Sequence, residues 1–225
     1  KQLHYTEEML KTYETTIAPL AASILRVIKV DSYLENGQEE EIKRMLDALK
    51  TQMSMPFDKI LSVGYIKYHI HRKEPEKALS HIPTVEAFVK ATGIKQYLGL
   101  IERLRGKILR IQKSYEKALE VYENFLKTSS ANQSAIYGKA ICLLNLKRFD
   151  EALEPIKQLL KKSPFNPTYQ FTAAKIRFGL KQQADGIRNL KTAIKGWKDA
   201  DADYKPASEA RALLETMKKE GADVQ

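Results

Sequence analysis

The sequence predicts an all-α fold: a right-handed α-solenoid of stacked helix pairs, closed by a C-terminal capping helix. Three observations carry that prediction. From Gly99 to about Ala200 the chain matches itself at a shift of 34 residues, three times over. Each copy holds two apolar-periodic runs of helical spacing separated by a short break. Small residues return at fixed places in every copy, which is what closely crossing helices require. A period of this length marks stacked supersecondary units, each burying its apolar face against the next.

The units start at Gly99, Gln133 and Pro167. Gly106, Ala140 and Ala174 fall in register, and so do Ala118, Ala152 and Gly186. A bulky side chain at either place would force the helix axes beyond the usual ~8–10 Å. Larger apolar residues also align: Tyr122 with Ile156 and Leu190, and Leu126 with Leu160 and Ile194. These fill the layers between pairs.

This pattern resembles the tetratricopeptide repeat family over about 100 residues. The family's small eighth residue is Gly106, Ala140 and Ala174, and its small twentieth residue is Ala118, Ala152 and Gly186. There are departures. Glu102, Ile136 and Gln170 stand where an aromatic is usual, the near-terminal proline occurs only as Pro164, and the usual alanine of position 27 is Phe125, Leu159 and Ala193.

Before the clear repeats the pattern is looser. Tyr5 to about Ile17 reads as a helix, and Pro19 as the start of another that stops at Asn36-Gly37. The acidic run Glu39-Glu40-Glu41 opens the next, since negative charge suits a helix N-terminus. After Pro56, residues 56–92 read as a degenerate pair in which Ala78 takes the small-residue place. Ala78 lies 40 residues before Ala118, so the unit carries an insertion of about six. Pro83 should kink or restart its second helix. Ile42 hints at a still weaker pair, for five pairs plus flanking helices. The expected organisation is therefore 1–98 for N-terminal helices and degenerate pairs, 99–200 for the three clear repeats, and 201–225 for a capping helix and tail, all one continuous solenoid. A cap is needed because the last pair would otherwise leave an apolar layer open.

Composition narrows the function. The net charge is +10. Its excess lies on residues 99–200, with 20 basic and 9 acidic groups against 14 and 13 in 1–98. That favours acidic partners or nucleic acid. No apolar run approaches membrane-spanning length. No signal-peptide pattern opens the chain, so a cytoplasmic location is expected. The chain begins at Lys1 rather than Met, which suggests a fragment whose targeting signals or partner domain have been removed. The single cysteine, Cys142, reads as a small buried apolar residue. His69 and His71 on one helix point about 200° apart and cannot share a metal. With no HExxH, CxxC or phosphate-loop pattern, the chain reads as non-enzymatic, with no cofactor and no metal.

A groove is the better candidate. Arg103, Lys107 and Arg110 follow i, i+4, i+7 spacing and form one basic stripe. Tyr137, Ile141 and Leu144 do the same, as do Phe171, Lys175 and Phe178. The resemblance implies that these first-helix positions line a concave face that receives a peptide. The clamp by which some relatives hold a terminal carboxylate is not expected, because Arg103, Lys107, Gly138, Thr168 and Thr172 occupy its places and only the first unit is basic. The expectation is a peptide-binding scaffold whose partner is a protein or peptide segment, with an acidic segment as the narrower expectation. The alternatives are a scaffold that self-associates as a homo-oligomer or regulates a missing domain, and a nucleic-acid-binding repeat protein. Nucleic acid is the less favoured, since no aromatic–basic single-strand platform stands out.

Overall fold

The computed structural model describes residues 25–27, 29–35, 37–53, 57–93, 96–200 and 204–222. Among these, every regular element is helical. The helices expected at Tyr5–Ile17 and from Pro19 lie outside the described residues except for the end of the second. Two compact units emerge, 1–114 and 115–225, and the division falls between the two helices of the first 34-residue copy.

Unit 1 holds α1 (Val30–Glu35), α2 (Glu39–Gln52), a short 3-10 turn (Phe57–Ile60), α3 (Leu61–His71), α4 (Pro75–Ser80), α5 (Ile82–Thr92) and α6 (Gln96–Ile111). Gly37 ends the first of these at φ 71°. Its N–H bonds Leu34 O, and the next N–H bonds Tyr33 O, as in a Schellman stop. Glu39 opens α2 as expected, and it also works at longer range. It takes His71 Nε2 at 3.0 Å and Arg72 Nη1 at 3.2 Å, tying α2 to the end of α3. Pro83 does restart the helix: α4 stops at Ser80, and α5 begins with Pro83 in its first turn. The core runs from Val27 to Ile108, with Leu46, Ile66 and Phe88 fully enclosed. Gly64 allows α2 and α3 to meet, because a Cβ there would fall 2.5 Å from Leu46.

Unit 2 holds α7 (Tyr115–Thr128), α8 (Gln133–Asn145), α9 (Phe149–Lys162), α10 (Pro167–Gly179), α11 (Gln183–Gly196) and α12 (Lys205–Ala222). Ala118, Ala140, Ala152, Ala174 and Gly186 are all buried at their crossings. Flat aromatic rings lie on glycines: Tyr122 on Gly138, Phe149 on Gly179 and Phe178 on Gly186, each within 2.3–2.5 Å of where a Cβ would stand. Asn132 and Asn166, one period apart, cap α8 and α10 by accepting from the N–H of Ala135 and Tyr169. These bonds satisfy amides that a helix start leaves orphaned. Cys142 is fully buried, as expected. The last layer, Leu190, Ala193 and Trp197, is closed by Ala207 and Ala210 of α12, the expected cap.

A second periodic device appears at the turns between paired helices. Lys73, Lys113, Lys147 and Lys181 all sit in the left-handed region, at φ 56–59°. Each ends a first helix with the same two bonds. Lys147 N–H reaches Leu144 O and Arg148 N–H reaches Leu143 O; Lys181 and Gln182 repeat this on Phe178 and Arg177. Lys73 precedes Lys113 by 40 residues, the same offset as Ala78 from Ala118. The degenerate pair thus keeps the repeat's turn, and its six extra residues lie after it.

Candidate interaction site

In unit 1 the basic stripe lies on α6. Arg103 is half-buried, and its Nε donates to Gly99 O at 3.3 Å. Lys107 is exposed. Arg110 is half-buried, with its Nε enclosed and lacking an acceptor. Arg103 and Arg110 form no ion pair among the described residues, whereas their neighbour Arg105 is tied to Glu86 at 2.6 Å. The two arginines of the stripe therefore keep their charge out of ion pairs among the described residues, while the arginine beside them serves the fold.

In unit 2 the candidate residues divide into those that stay near the surface and those that pack. Tyr137 is half-buried; its hydroxyl lies 3.2 Å from Thr172 Oγ1, and its ring 5.4 Å from Tyr169. Thr172 already donates to Thr168 O at 2.9 Å, so Tyr137 is the donor in the first bond. Ile141 and Leu144 are partly exposed along the same helix. Phe171 is only 7% exposed, edge-on to Trp197 at 5.7 Å. Phe178 lies on Gly186. These two rings shape the surface from beneath.

Lys175 covers what Phe171 leaves open. Its Nζ stands 3.9 Å from the centre of the Phe171 ring, a cation–π contact. Burial pushes this ammonium below the usual lysine range, and Glu209 opposes the shift. Glu209, on α12, is 3.8 Å away, at the long end for an ion pair. It follows Lys175 by one period. Extending the 34-residue register past Ala200 would have found it; Tyr169 has no such signal. The arrangement is a partly desolvated cation, flanked by aromatic surface and loosely held by one carboxylate. Such a group gains when a second carboxylate approaches.

The histidines serve the fold of unit 1. His69 Nδ1 bonds Glu74 at 2.8 Å, while His71 goes to Glu39, so the two use different carboxylates. His81 stacks between Tyr65 at 5.2 Å and His69 at 5.7 Å. Among the described residues no His, Cys, Asp and Glu cluster could hold a metal, and no helix is long and apolar enough to cross a membrane.

Comparison with known proteins agrees with this architecture. A family model described as tetratricopeptide repeat matches residues 109–176. No curated protein matches. Among solved structures, PilW, described as a widely conserved type IV pilus biogenesis factor, aligns with a TM-score of 0.61 at 15% identity, over 86% of this chain and 92% of that one. MamA from Desulfovibrio magneticus RS-1 aligns at 0.52 and 20% identity, over 74% and 98%. YrrB, described as a tetratricopeptide repeat protein with an unusual peptide-binding site, aligns at 0.50 and 15% identity, over 90% and 96%. At such identities the likeness speaks to the fold alone.

Proposed function

We propose that this chain, a tetratricopeptide repeat protein, is a non-catalytic interaction scaffold that receives acidic peptide segments on the faces of its first helices. The observation that carries the reading is Lys175, half-desolvated over Phe171 and held by Glu209 at only 3.8 Å. A partner carboxylate has a cation to meet there, and the paired rings of Tyr137 and Tyr169 add aromatic surface in the same unit. The stripe of Arg103, Lys107 and Arg110 on α6 supplies the second basic patch. In unit 2, an acidic side chain on an otherwise apolar segment would meet Lys175 and partly exposed Ile141 and Leu144; in unit 1, an acidic segment would meet the stripe of α6. The peptide-binding site in YrrB's description adds support by analogy.

The test uses fluorescent peptides that alternate glutamate with leucine, and glutamine-for-glutamate counterparts. The wild-type chain should prefer the acidic set, and the preference should weaken with salt. Lys175→Gln and the triple reversal of Arg103, Lys107 and Arg110 to Glu should each reduce it, with helicity unchanged. A control reverses Lys147, Lys157 and Lys181, which are exposed elsewhere. Equal loss in the control would make the effect one of bulk charge and remove the site assignment.

A further inference from the structure

Two of the exposed large apolar side chains of unit 2 stand on adjacent loops at one edge. Phe165 is 80% exposed in the loop between α9 and α10, and Tyr204 is 41% exposed just before α12. Exposed Lys161 and Lys162 end α9 before the first loop, Lys195 stands in the last turn of α11, Lys198 follows it, and Lys205 opens α12. Lys161, Lys162, Lys195 and Lys205 form no ion pair among the described residues; Lys198 meets the exposed Asp199 at 3.7 Å. Asp201 and Asp203 follow Lys198 in sequence, whereas no acidic residue lies between Lys161 and Phe165, so the positive charge is least offset beside Phe165.

The first loop is held in place from below. Gln170, only 9% exposed, donates through Nε2 to Pro164 O at 2.5 Å and accepts from Asn189 of α11. On its other side Pro167 rests against Gly196, where a Cβ would fall 2.9 Å away. The buried amide is hydrogen-bonded at both its nitrogen and its oxygen, so it fixes the loop at little cost, while the phenylalanine of that loop forgoes the gain of burial. A single exposed apolar residue needs no explanation; one displayed on a braced loop among unpaired lysines does.

We propose that this edge docks on the surface of an anionic phospholipid bilayer, with Phe165 entering the headgroup–acyl boundary and the lysines resting on phosphates. Aromatic side chains among lysines suit that boundary, and a protruding loop needs no pocket in a deformable surface. Attraction of each lysine to an anionic leaflet corresponds to about fivefold in partitioning. A nucleic-acid strand would call for successive stacking rings along a basic groove. The proposal stands apart from the peptide-binding reading, since it uses none of those residues.

The experiment is co-sedimentation of the full chain with vesicles of phosphatidylcholine containing phosphatidylglycerol, against phosphatidylcholine alone. Trp197, the only tryptophan, lies 5.8 Å from Tyr204 and reports contact through quenching by brominated acyl chains. The wild-type chain should bind only the anionic vesicles. Phe165→Ser should weaken binding roughly tenfold by removing the inserted ring, and Lys161→Gln with Lys162→Gln by about fivefold per lysine. Lys147→Gln with Lys181→Gln, at the opposite turns, should change little. Circular dichroism checks that each variant is folded. The proposal is overturned if the wild-type chain ignores anionic vesicles, if Phe165→Ser binds as well as wild type, or if the control pair loses as much. A chain that leaves vesicles alone but self-associates through Phe165 in light scattering, or that binds a single-stranded oligonucleotide through these lysines, overturns it in favour of that partner.

Discussion

Gly138→Ala sets two known effects against each other. Alanine is favoured over glycine in a helix by about 0.8–1.0 kcal/mol, so an open site would be stabilised. Here the new methyl would stand 2.3 Å from one atom of the Tyr122 ring and 2.6 Å from two others, against 3.4–4 Å for ordinary contact. The ring must retreat by about 1 Å, and Tyr122 is 2% exposed with its neighbours closed around it. Overpacking of that kind costs ~1–3 kcal/mol, so the net loss should be about 0–2 kcal/mol. The assay is urea unfolding followed by circular dichroism and by Trp197 fluorescence, on the wild-type chain, Gly138→Ala, Tyr122→Leu and the double variant. Leucine leaves room for the methyl, so the double variant should be more stable than the two single changes predict, by ~1–3 kcal/mol. A Gly138→Ala chain more stable than wild type, or strictly additive energies, would refute the packing argument.

Three further outcomes follow from the turns and the histidine stack. Lys147→Gly should stabilise by about 0.5–1 kcal/mol, since a left-handed L-residue costs ~1–2 kcal/mol and glycine's extra freedom returns part of that; Lys147→Ala should give no such gain in the urea midpoint. His81 is held below the usual histidine range first by burial and then by the neighbouring His69. The folded state therefore takes a proton less readily than the unfolded one, and this contribution to stability is present above about pH 6.5 and lost as pH falls below it. The groups facing His81 are Tyr65, hydrogen-bonded to Asp47, and His69, hydrogen-bonded to Glu74. His81→Phe keeps the stack and should flatten the thermal stability profile in that window. Glu74, lowered to about 2 chiefly by its bond from His69, sets a separate loss further into acid: its contribution holds above about pH 4.5 and disappears as pH falls through 2.

Most of the architecture was legible because the physics that builds it is periodic. Gly106, Ala140 and Ala174 align at the 34-residue shift, and each proved to be buried. Pro83 carried its own restart. The face occupied by the candidate site was harder. Spacing of i, i+4 says which side chains share a face but not what covers it. Phe171 and Phe178 obey the same rule as Tyr137, yet one is enclosed by Trp197 and the other lies on a glycine of the paired helix. The left-handed lysines were hidden for a different reason. Their period is plain in the sequence, but lysine, unlike glycine, announces nothing about φ.

The rings that lie on glycines bear on how such an array can change. Tyr122 belongs to the first 34-residue copy and Gly138 to the second; Phe149 belongs to the second and Gly179 to the third. Large is matched to absent across each joint, and differently at each. One period after Gly138 the chain has Thr172, and one period after Tyr122 it has Ile156. Excising residues 133–166 would remove α8 and α9 whole and leave the remaining helices in register, yet it would bring the tyrosine ring onto a threonine. Loss or duplication of a whole copy, the easiest event for a tandem gene, therefore meets a steric barrier that point substitutions must first remove. The copies share a period without being interchangeable, and their order is written into the joints.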